Sequence, residues 1–277
     1  MQRNVQTAIF PVAGKGTRML PATRAIPKEL LPVLDRPLLD FAMDEAFRAG
    51  IQRLIFVTHP DKPSIEHHVR QSLDNLERSP DIEIIFTSQD EQLGLGHAVL
   101  QARDLVLPGA VAVLLPDDLI LAGPGCLGEM VDAYRNLETG HLVATMQVPP
   151  ELTDRYGILS VTETRGQIAI ANSVIEKPDP FEAPSNDAVI GRYILDPSIF
   201  AALMTQRPGA GGEVQLTDAI AATSERVGLA GFRFLGKRFD CGSKEGLLAA
   251  TLHQAEKDPD YHHLLGSPSA HAIVAAA

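Results

Sequence analysis

A glycine-rich, basic segment near the N-terminus has the composition of a phosphate-binding loop. It follows an apolar run and reads Ala13-Gly14-Lys15-Gly16-Thr17-Arg18. Glycine lets backbone amides approach phosphate oxygens that a chain with Cβ atoms would keep at a distance. A dinucleotide fingerprint needs a third glycine where Met19 stands, and a P-loop needs four residues between its first glycine and the Gly-Lys pair. The spacing alone leaves two interpretations, a phosphate cradle or a tight turn.

The same region concentrates positive charge. Four cations, Lys15, Arg18, Arg24 and Lys28, precede the first acidic residue of the chain, Glu29. The whole chain has a formal net charge of −11, so its average field opposes nonspecific binding to nucleic acid or to an anionic membrane surface. We predict neither kind of partner. The basic cluster is interpreted as a local pocket for a polyanionic ligand, and the alternative is a solvated loop.

A carboxylate follows a wholly apolar, strand-like run. Residues 111–115 are all apolar, and Asp117 stands just beyond them. Ligands of open α/β sheets bind at the carboxyl ends of the strands, and a carboxylate there suits Mg²⁺. Asp118 is a second candidate, but neighbouring side chains at a strand end point opposite ways, so Asp117 is favoured. The alternative for such an aspartate is a turn cap.

The elements that position these residues alternate between strand and helix. Apolar periodicity predicts strands over 5–12, 51–59, 82–87 and 110–115 and helices over 38–49, 64–76 and 96–105. This order implies parallel β-α-β units and a sheet covered on both faces. In the later part of the chain the same periodicity predicts mixed or antiparallel strands over 141–148, 157–162, 167–176, 189–195 and 229–235. It predicts helices there over 127–137, 197–204, 215–225 and 243–252.

Composition is that of one main globular domain, with 277 residues of which 45% are apolar. No stretch approaches the length of a membrane span. Cys126 and Cys241 lack metal-type spacing. We therefore predict two free thiols and a location in the reducing cytoplasm.

A longer motif is far more specific than the glycine pattern. Residues 14–23 read GKGTRMLPAT and residues 27–32 read PKELLP, and together they resemble the sugar nucleotidyltransferases. Within that family they are most similar to the bacterial uridylyltransferases that use glucose 1-phosphate. Further similar blocks recur in family order: LGLGHAV at 93–99, LPDD at 115–118, IEKP at 175–178, IGRYIL at 190–195, GEVQLTD at 212–218 and FDCGS at 239–243.

The resemblance implies a Rossmann-like, GT-A-like α/β nucleotidyltransferase fold. Its mixed, mostly parallel central sheet is flanked by helices and joined to a smaller β-rich sugar-binding part. One domain is expected over 1–255, with a nucleotide-binding half at 1–120, a sugar-phosphate-binding half at 121–255, and a tail at 256–277 that is partly disordered or forms a short docking helix. Family members usually carry a longer helical insertion between the counterparts of His68 and Ile82. We expect a homo-oligomer, a dimer or tetramer, whose size depends on this shortened connection.

The resemblance also implies the reaction. An oxygen of glucose 1-phosphate attacks the α-phosphorus of UTP, and UDP-glucose and pyrophosphate form, so catalysis consists mainly of aligning two anions and offsetting charge. Arg18 is expected at the β/γ oxygens and Lys28 at the α-phosphate. Mg²⁺ is the expected cofactor, with Asp117 as a ligand and Asp240 completing the site. The expected catalytic residues are Arg18, Lys28, Asp117 and Lys177.

Substrate contacts are implied in the same way. Glu176 is expected to accept bonds from glucose hydroxyls while Lys177 meets the phosphate of glucose 1-phosphate. Gly157 and Gly191 are expected to let the backbone approach the sugar. The nucleotide is expected to contact Ala13, Gly14, Gly16, Thr17, Glu29, Gln89 and Gly94. Within this group, uracil selection is assigned to Ala13, Glu29, Gln89 and Gly94. His97 is interpreted as structural, because attack by a phosphate oxygen requires no proton removal.

Two other functions stay open at this point. The first is the same chemistry with another nucleotide or sugar 1-phosphate, such as dTTP with glucose 1-phosphate, because base choice turns on one or two contacts. The second is a noncatalytic regulator that kept the fold. It is weakened by the joint presence of the expected site residues, since function follows from site residues rather than from the fold.

Overall fold

The computed structural model of the chain describes residues 3–74, 82–123, 125–209 and 212–266. Each strand and helix predicted from the periodicity has a counterpart in it. In chain order the elements are β1 (Val5–Pro11), β2 (Pro32–Val33), β3 (Arg36–Pro37), α1 (Leu38–Arg48), β4 (Arg53–Thr58), α2 (Pro63–Asp74), β5 (Glu83–Ser88), α3 (Leu95–Leu100), β6 (Ala110–Leu114), β7 (Asp118–Leu121), α4 (Cys126–Arg135), β8 (His141–Gln147), β9 (Gly157–Arg165), β10 (Ile168–Glu176), β11 (Asp187–Leu195), α5 (Ser198–Thr205), α6 (Leu216–Val227), β12 (Leu229–Arg233), β13 (Lys237–Asp240), α7 (Lys244–Lys257) and α8 (His262–Gly266).

Nine strands of the described residues form one mixed sheet in the order β5-β4-β1-β6-β11-β8-β12-β10-β9. β5, β4, β1 and β6 are parallel neighbours, as the β-α-β rhythm predicts. β11 is antiparallel to β6 and β8, and β10 is antiparallel to β12 and β9. The predicted fold class, a mixed central sheet flanked by helices, is confirmed.

Side chains along each buried strand alternate between the two faces of the sheet, and both faces are apolar. Helices cover both of them. On one face Phe10 stacks on Phe56, with ring centroids 4.8 Å apart, in a core shared with α1 and α4. On the other face Ile9 and Val113 pack with α3, α5 and α6. β6 is buried at all five positions, as expected of a central strand covered on both faces. The two apolar layers therefore fix the strand ends from which the site loops begin.

Two features differ from the sequence prediction. The helix predicted over 96–105 is interrupted, because α3 ends at Leu100 and a separate 3-10 turn follows at Arg103–Leu105. Apolar spacing over so short a stretch does not distinguish the two helix types. The short strands β2, β3, β7 and β13 have no counterpart in the prediction. β7 pairs antiparallel with β13, with Asp118 opposite Asp240. This ladder brings the loop carrying Asp117 next to Asp240.

Parts of the prediction lie outside the described residues. These are 75–81, which contain the end of a predicted helix and most of the shortened connection, and 267–277 of the tail. In the described part of the tail, α7 continues past the expected domain end at residue 255 to Lys257, and α8 follows. Both cysteines are free, as predicted, and both are buried. Among the described helices, none is long and apolar enough to cross a membrane.

Candidate active site

Two cavities lie beyond the carboxyl ends of β1, β5 and β6 and share one wall. The smaller measures about 470 Å³ and the larger about 670 Å³, and Leu95, Leu115 and Asp117 line both. The smaller cavity is also lined by most of the predicted nucleotide residues: Ala13, Gly14, Gly16, Thr17, Lys28, Gln89 and Gly94. The larger is lined by predicted phosphate, sugar and metal residues: Arg18, Gly157, Glu176, Lys177 and Asp240. The geometry fits two ligands that meet at Asp117.

The glycine-rich loop leaves β1 and lines the smaller cavity. Gly16 has a left-handed backbone with φ of 65°, and a Cβ there would lie 3.0 Å from Thr23 Cγ2. Glycine is therefore favoured on conformational and steric grounds. Thr23 Oγ1 donates to the Gly16 carbonyl at 2.9 Å, which fixes the loop. A 3-10 turn over Thr17–Met19 follows, and its central residue Arg18 lines the larger cavity.

Lys28 and Asp117 form an ion pair at the wall between the cavities. Lys28 Nζ lies 2.5 Å from Asp117 Oδ2, and the side chains are 19% and 17% exposed. Burial acts to lower the pKa of Lys28, but the carboxylates of Asp117 and Glu29 outweigh it and raise that pKa. Burial acts to raise the pKa of Asp117, but Lys28 and Arg18 hold it below its usual value. Both groups are therefore charged at neutral pH.

Asp117 and Asp240 enclose a small space beside the backbone of Gly242. A Cβ on Gly242 would lie 2.8 Å from Asp117 Oδ2, 3.1 Å from Asp240 Oδ1 and 2.5 Å from Arg18 Nη2. Arg18 also donates to Asp240 Oδ2 at 3.2 Å. Two carboxylate oxygens thus face one point, a donor set that suits Mg²⁺ when phosphates and water supply the rest. In the part of the chain that the structure describes, no three His, Cys, Asp or Glu side chains form a metal cluster.

The β9–β10 hairpin presents Glu176 and Lys177 to the larger cavity. Glu176 pairs with Gly157 across the ladder, where a Cβ would lie 3.3 Å from Glu176 Oε2. Thr217 Oγ1 donates to the same oxygen at 2.8 Å. Lys177 has a φ of 48°, a left-handed conformation that is unfavourable for a residue other than glycine. Its Nζ lies 3.1 Å from Glu176 Oε1, so cation and carboxylate are held together at the cavity wall.

Gln89 and Gly94 line the smaller cavity and bond to each other. Gln89 is 4% exposed, and its Nε2 donates to the Gly94 carbonyl at 3.0 Å. His97 contacts Gln89 through one ring nitrogen and Gln101 through the other, at 3.0 Å each. His97 therefore belongs to a side-chain network, which agrees with its structural interpretation.

Gln92 lines the smaller cavity too, and the sequence prediction missed it. Its Nε2 donates to the Ala13 carbonyl at 2.6 Å. This bond joins the loop after β5 to the loop after β1. The two loops are 79 residues apart in sequence, so no local pattern signals the contact.

Two predicted site residues do not line either cavity. Glu29 is 1% exposed, and its Oε2 accepts a bond from Lys62 Nζ at 3.0 Å, while Oε1 is buried without a hydrogen-bond partner among the described residues. Burial raises the pKa of Glu29. Lys62 also donates to the Val12 carbonyl at 2.8 Å, so the pair braces the start of the glycine-rich loop. A direct contact between Glu29 and a nucleotide stays a prediction.

Gly191 is the second of these residues. A Cβ there would lie 2.7 Å from Leu115 Cβ and 2.8 Å from Asp118 Oδ2, so its missing side chain makes room for the Asp117 loop. Its amide donates to Asp118 Oδ2 at 2.8 Å, and Arg238 Nε donates to Asp118 Oδ1 at 2.6 Å. Asp118 is therefore held by Gly191 and Arg238, whereas Asp117 pairs with Lys28. Arg238 lines the larger cavity and was absent from the sequence prediction.

Known proteins resemble this chain over nearly its full length. The profile of the family described as "Nucleotidyl transferase" matches residues 8–257. A UTP–glucose-1-phosphate uridylyltransferase of Pseudomonas aeruginosa is 42% identical over 265 residues, which cover 89% of this chain and 95% of that protein. A protein of the same name from Staphylococcus haemolyticus is 40% identical over 274 residues, covering 93% of this chain and 94% of that protein.

Solved structures superpose closely as well. A UDP-glucose pyrophosphorylase complexed with UDP-glucose aligns with a TM-score of 0.85 at 35% identity, covering 92% of this chain and 100% of that one. The UTP-bound UGPase from Acinetobacter baumannii aligns with a TM-score of 0.83 at 36% identity, covering 93% of this chain and 96% of that one. The family match over residues 8–257 includes every residue that lines the two cavities.

Proposed function

The chain belongs to the nucleotidyl transferase family, and from this premise we propose that it transfers a uridylyl group from UTP to glucose 1-phosphate. The products are UDP-glucose and pyrophosphate. The observation that carries the proposal is the shared wall of the two cavities at Asp117. One cavity offers a glycine-rich loop to a triphosphate, and the other offers the paired carboxylate of Glu176 and ammonium of Lys177 to a sugar phosphate. The attacking oxygen and the α-phosphorus would meet at the wall.

In the proposed reaction a phosphate oxygen of glucose 1-phosphate forms a bond to the α-phosphorus of UTP. The bond from that phosphorus to the pyrophosphate oxygen breaks, and the electron pair leaves with pyrophosphate. Both reactants are anions, so the site must align them and offset charge on the leaving group. Lys28 lines the smaller cavity and is assigned to the nucleotide, and Lys177 lines the larger cavity and is assigned to the sugar phosphate. No proton has to be removed, so no general base is assigned.

In this proposal Glu176 binds the hydroxyl groups of the sugar ring. Its carboxylate lines the larger cavity and accepts the Thr217 hydroxyl, so one oxygen is oriented while the other neighbours Lys177. A carboxylate so fixed accepts bonds from sugar hydroxyls at a low cost in side-chain entropy. Uracil recognition is assigned to Gln89 and to the backbone at Ala13 and Gly94, which line the smaller cavity.

We propose Asp117 and Asp240 as the ligands of Mg²⁺. The space beside Gly242, bounded by one oxygen of each aspartate, supports this assignment because Mg²⁺ favours one or two carboxylates together with substrate phosphates. When bound, the ion supplies positive charge at the phosphates. Arg18 lines the larger cavity and bonds Asp240, so its assignment to the oxygens of the leaving pyrophosphate stays a prediction.

The deciding experiment is pyrophosphate release with Mg²⁺, using UTP, dTTP, CTP, ATP and GTP crossed with several sugar 1-phosphates. We expect turnover to be highest with UTP and glucose 1-phosphate. Turnover with dTTP but not UTP would overturn the base assignment, and absence of pyrophosphate release with every pair would overturn the reaction.

Asp117→Asn tests the centre of the site. It preserves shape and removes the charge that pairs with Lys28, so we expect a folded protein with at least about 100-fold lower turnover, the size of loss that mispositioned catalytic groups produce. The matched control is Asp132→Asn, the same change on the exposed face of α4, which should leave turnover unchanged. Near-normal activity of Asp117→Asn would exclude the assigned role.

The homo-oligomeric state and the cytoplasmic location stay predictions. Leu248 and Leu252 lie one helical turn apart on α7 and are exposed, which supports self-association through this helix. Light scattering with multi-angle detection measures the mass directly, and a monomer at assay concentration would contradict the prediction. A dimer and a tetramer would both agree with it.

A further inference from the structure

We propose that the buried ion pair of Glu45 and Arg192 positions the turn that presents Asp117, which makes Arg192 a positioning residue for the transfer. The inference rests on the proposed function for its kinetic consequence. Neither residue lines the two cavities, and the pair joins α1 to β11 behind the shared wall.

The pair is fully buried and fully bonded. Arg192 is 1% exposed and Glu45 is 7% exposed. Arg192 Nε and Nη2 donate to Glu45 Oε2 at 3.0 and 2.9 Å. Nη1 donates to the carbonyls of Leu115 and Gly191, each at 2.9 Å. Glu45 Oε1 accepts the amide of Leu127 at 2.8 Å. Each side-chain nitrogen and oxygen of the pair therefore has a partner.

The Leu115 carbonyl is the first group of the turn that carries Asp117. The same oxygen accepts the Asp118 amide at 3.2 Å, which closes a four-residue turn with Pro116 and Asp117 at its centre. Proline at the first central position presets the backbone for such a turn. At the far end of the turn, Asp118 Oδ2 accepts the Gly191 amide. Two adjacent residues of β11 thus hold both ends of the turn.

Stability alone does not account for two charges at this position. Replacing a buried ion pair by apolar side chains of similar volume is often neutral or stabilising, because the charges no longer have to be desolvated. A guanidinium, however, has a rigid fork of donors. Here the fork reaches a carboxylate on one side and, on the other, a carbonyl two residues before Asp117. An apolar pair would fill the volume and leave that carbonyl without its second donor.

The test compares three variants of the full chain. Glu45→Met/Arg192→Met removes the pair while keeping its volume. Asp187→Leu/Arg233→Met is the control, since Arg233 forks onto Asp187 with two bonds of 2.9 Å and neither residue lines either of the two cavities of the site. Arg192→Lys keeps the charge but lacks the fork. Amide hydrogen exchange of residues 111–121 is measured by mass spectrometry, together with kcat and KM for both substrates.

In the Met pair we expect faster exchange at residues 115–118 and at least about tenfold lower kcat, because displacement of a catalytic group by about 1 Å costs up to about 100-fold. KM for glucose 1-phosphate should stay within about twofold, because no hydrogen bond or ion pair joins Glu176 or Lys177 to Glu45 or Arg192. The control should change neither exchange at 115–118 nor kcat. Arg192→Lys should shift both in the same direction as the Met pair.

Unchanged exchange and kcat in a folded Met pair would overturn the proposal, and so would an equal loss in the control. If the Met pair does not fold, Arg192→Lys carries the test, and wild-type exchange and kcat in that variant would overturn the proposal. If the wild-type protein shows no uridylyl transfer, the proposed function fails, while hydrogen exchange still decides whether Arg192 holds the turn.

Discussion

The space beside Gly242 permits a test of the proposed metal site that changes no charge. Gly242→Ala adds one methyl group whose carbon would lie 2.8 Å from Asp117 Oδ2. Ordinary contact begins near 3.4 Å, so that oxygen has to move by about 0.6 Å. Asp117 cannot retreat freely, because it is bonded to Lys28 at 2.5 Å. Arg18 is exposed and can move aside.

The size of the effect follows from that displacement. Catalytic groups must be held within about 0.5 Å of their productive positions, and a misplacement of about 1 Å costs up to about 100-fold. We expect kcat/KM to fall by about 10-fold to 100-fold, which is about 1.4 to 2.7 kcal/mol of transition-state stabilisation. The Mg²⁺ concentration for half-maximal rate should rise as well. Folding should be preserved, because the φ of Gly242 lies outside the range that disfavours alanine.

The matched control is Gly128→Ala, the same chemical change inside α4. Nothing lies within 4 Å of a Cβ at Gly128, and alanine in a helix interior is favoured over glycine by about 0.8–1 kcal/mol. Its kcat/KM should equal that of the wild type, and its melting temperature should rise slightly. Pyrophosphate release over a Mg²⁺ titration and thermal melts of all three proteins provide the data. Wild-type kcat/KM and Mg²⁺ dependence in Gly242→Ala would refute the shared role of Asp117 and Asp240.

Three other perturbations have distinct expected outcomes. Gln92→Ala removes the bond to the Ala13 carbonyl and should raise KM for UTP about fivefold, because one hydrogen bond contributes about 1 kcal/mol. An equal rise in KM for glucose 1-phosphate would argue against a role on the nucleotide side. Thr217→Val removes the donor to Glu176 and should show the reverse selectivity in initial-rate measurements, so a change in KM for UTP alone would contradict the assignment. His141 is buried, its Nδ1 accepts the Asp196 amide at 3.2 Å, and burial lowers its pKa from 6.5 to about 4. The unfolded chain therefore binds this proton at a higher pH than the folded chain, and the free energy of unfolding should fall by up to about 3 kcal/mol as pH drops from about 6.5 to about 4. Urea unfolding of the wild type and of His141→Gln across this range isolates the effect, and equal pH dependence in the two proteins would show that His141 makes no such contribution.

The first half of the fold could be predicted because its signals are local. β6 is a continuous apolar run, and β1 and β4 contain four-residue apolar runs at 8–11 and 54–57. Helices of the right spacing lie between these strands, so the parallel order follows from the β-α-β rhythm. The pairing of β7 with β13 joins residues more than a hundred positions apart. A four-residue strand with one distant partner has no periodicity long enough to recognise. Tertiary pairing therefore decides its existence.

The site residues also divide into those with a local signal in the sequence and those without one. Asp117 follows from its place after a buried strand, and Lys28 belongs to a specific motif, so both could be identified from the sequence. Lys62, Gln92 and Arg238 act through side-chain contacts to residues 33, 79 and 120 positions away, and their own neighbours give no indication of these contacts.

Arg192 differs from these residues because it did carry a signal in the sequence. It is the one charged residue within residues 188–195 of β11, where every position is buried. A charge in such a place requires a buried partner, and Glu45 on the buried face of α1 is that partner.

The charges of the site bear on how a strongly anionic ligand binds to an acidic protein. Each of three cations assigned to phosphates is paired with a carboxylate: Lys28 with Asp117, Arg18 with Asp240, and Lys177 with Glu176. Paired in this way, these residues offer a phosphate little net attraction at long range, and the net charge of −11 adds repulsion. Affinity must therefore come from short-range geometry, in which the amides of the glycine-rich loop and the prealigned cations act together within hydrogen-bonding distance. Because exposed long-range fields are screened by salt and short contacts are not, nucleotide affinity should depend weakly on ionic strength.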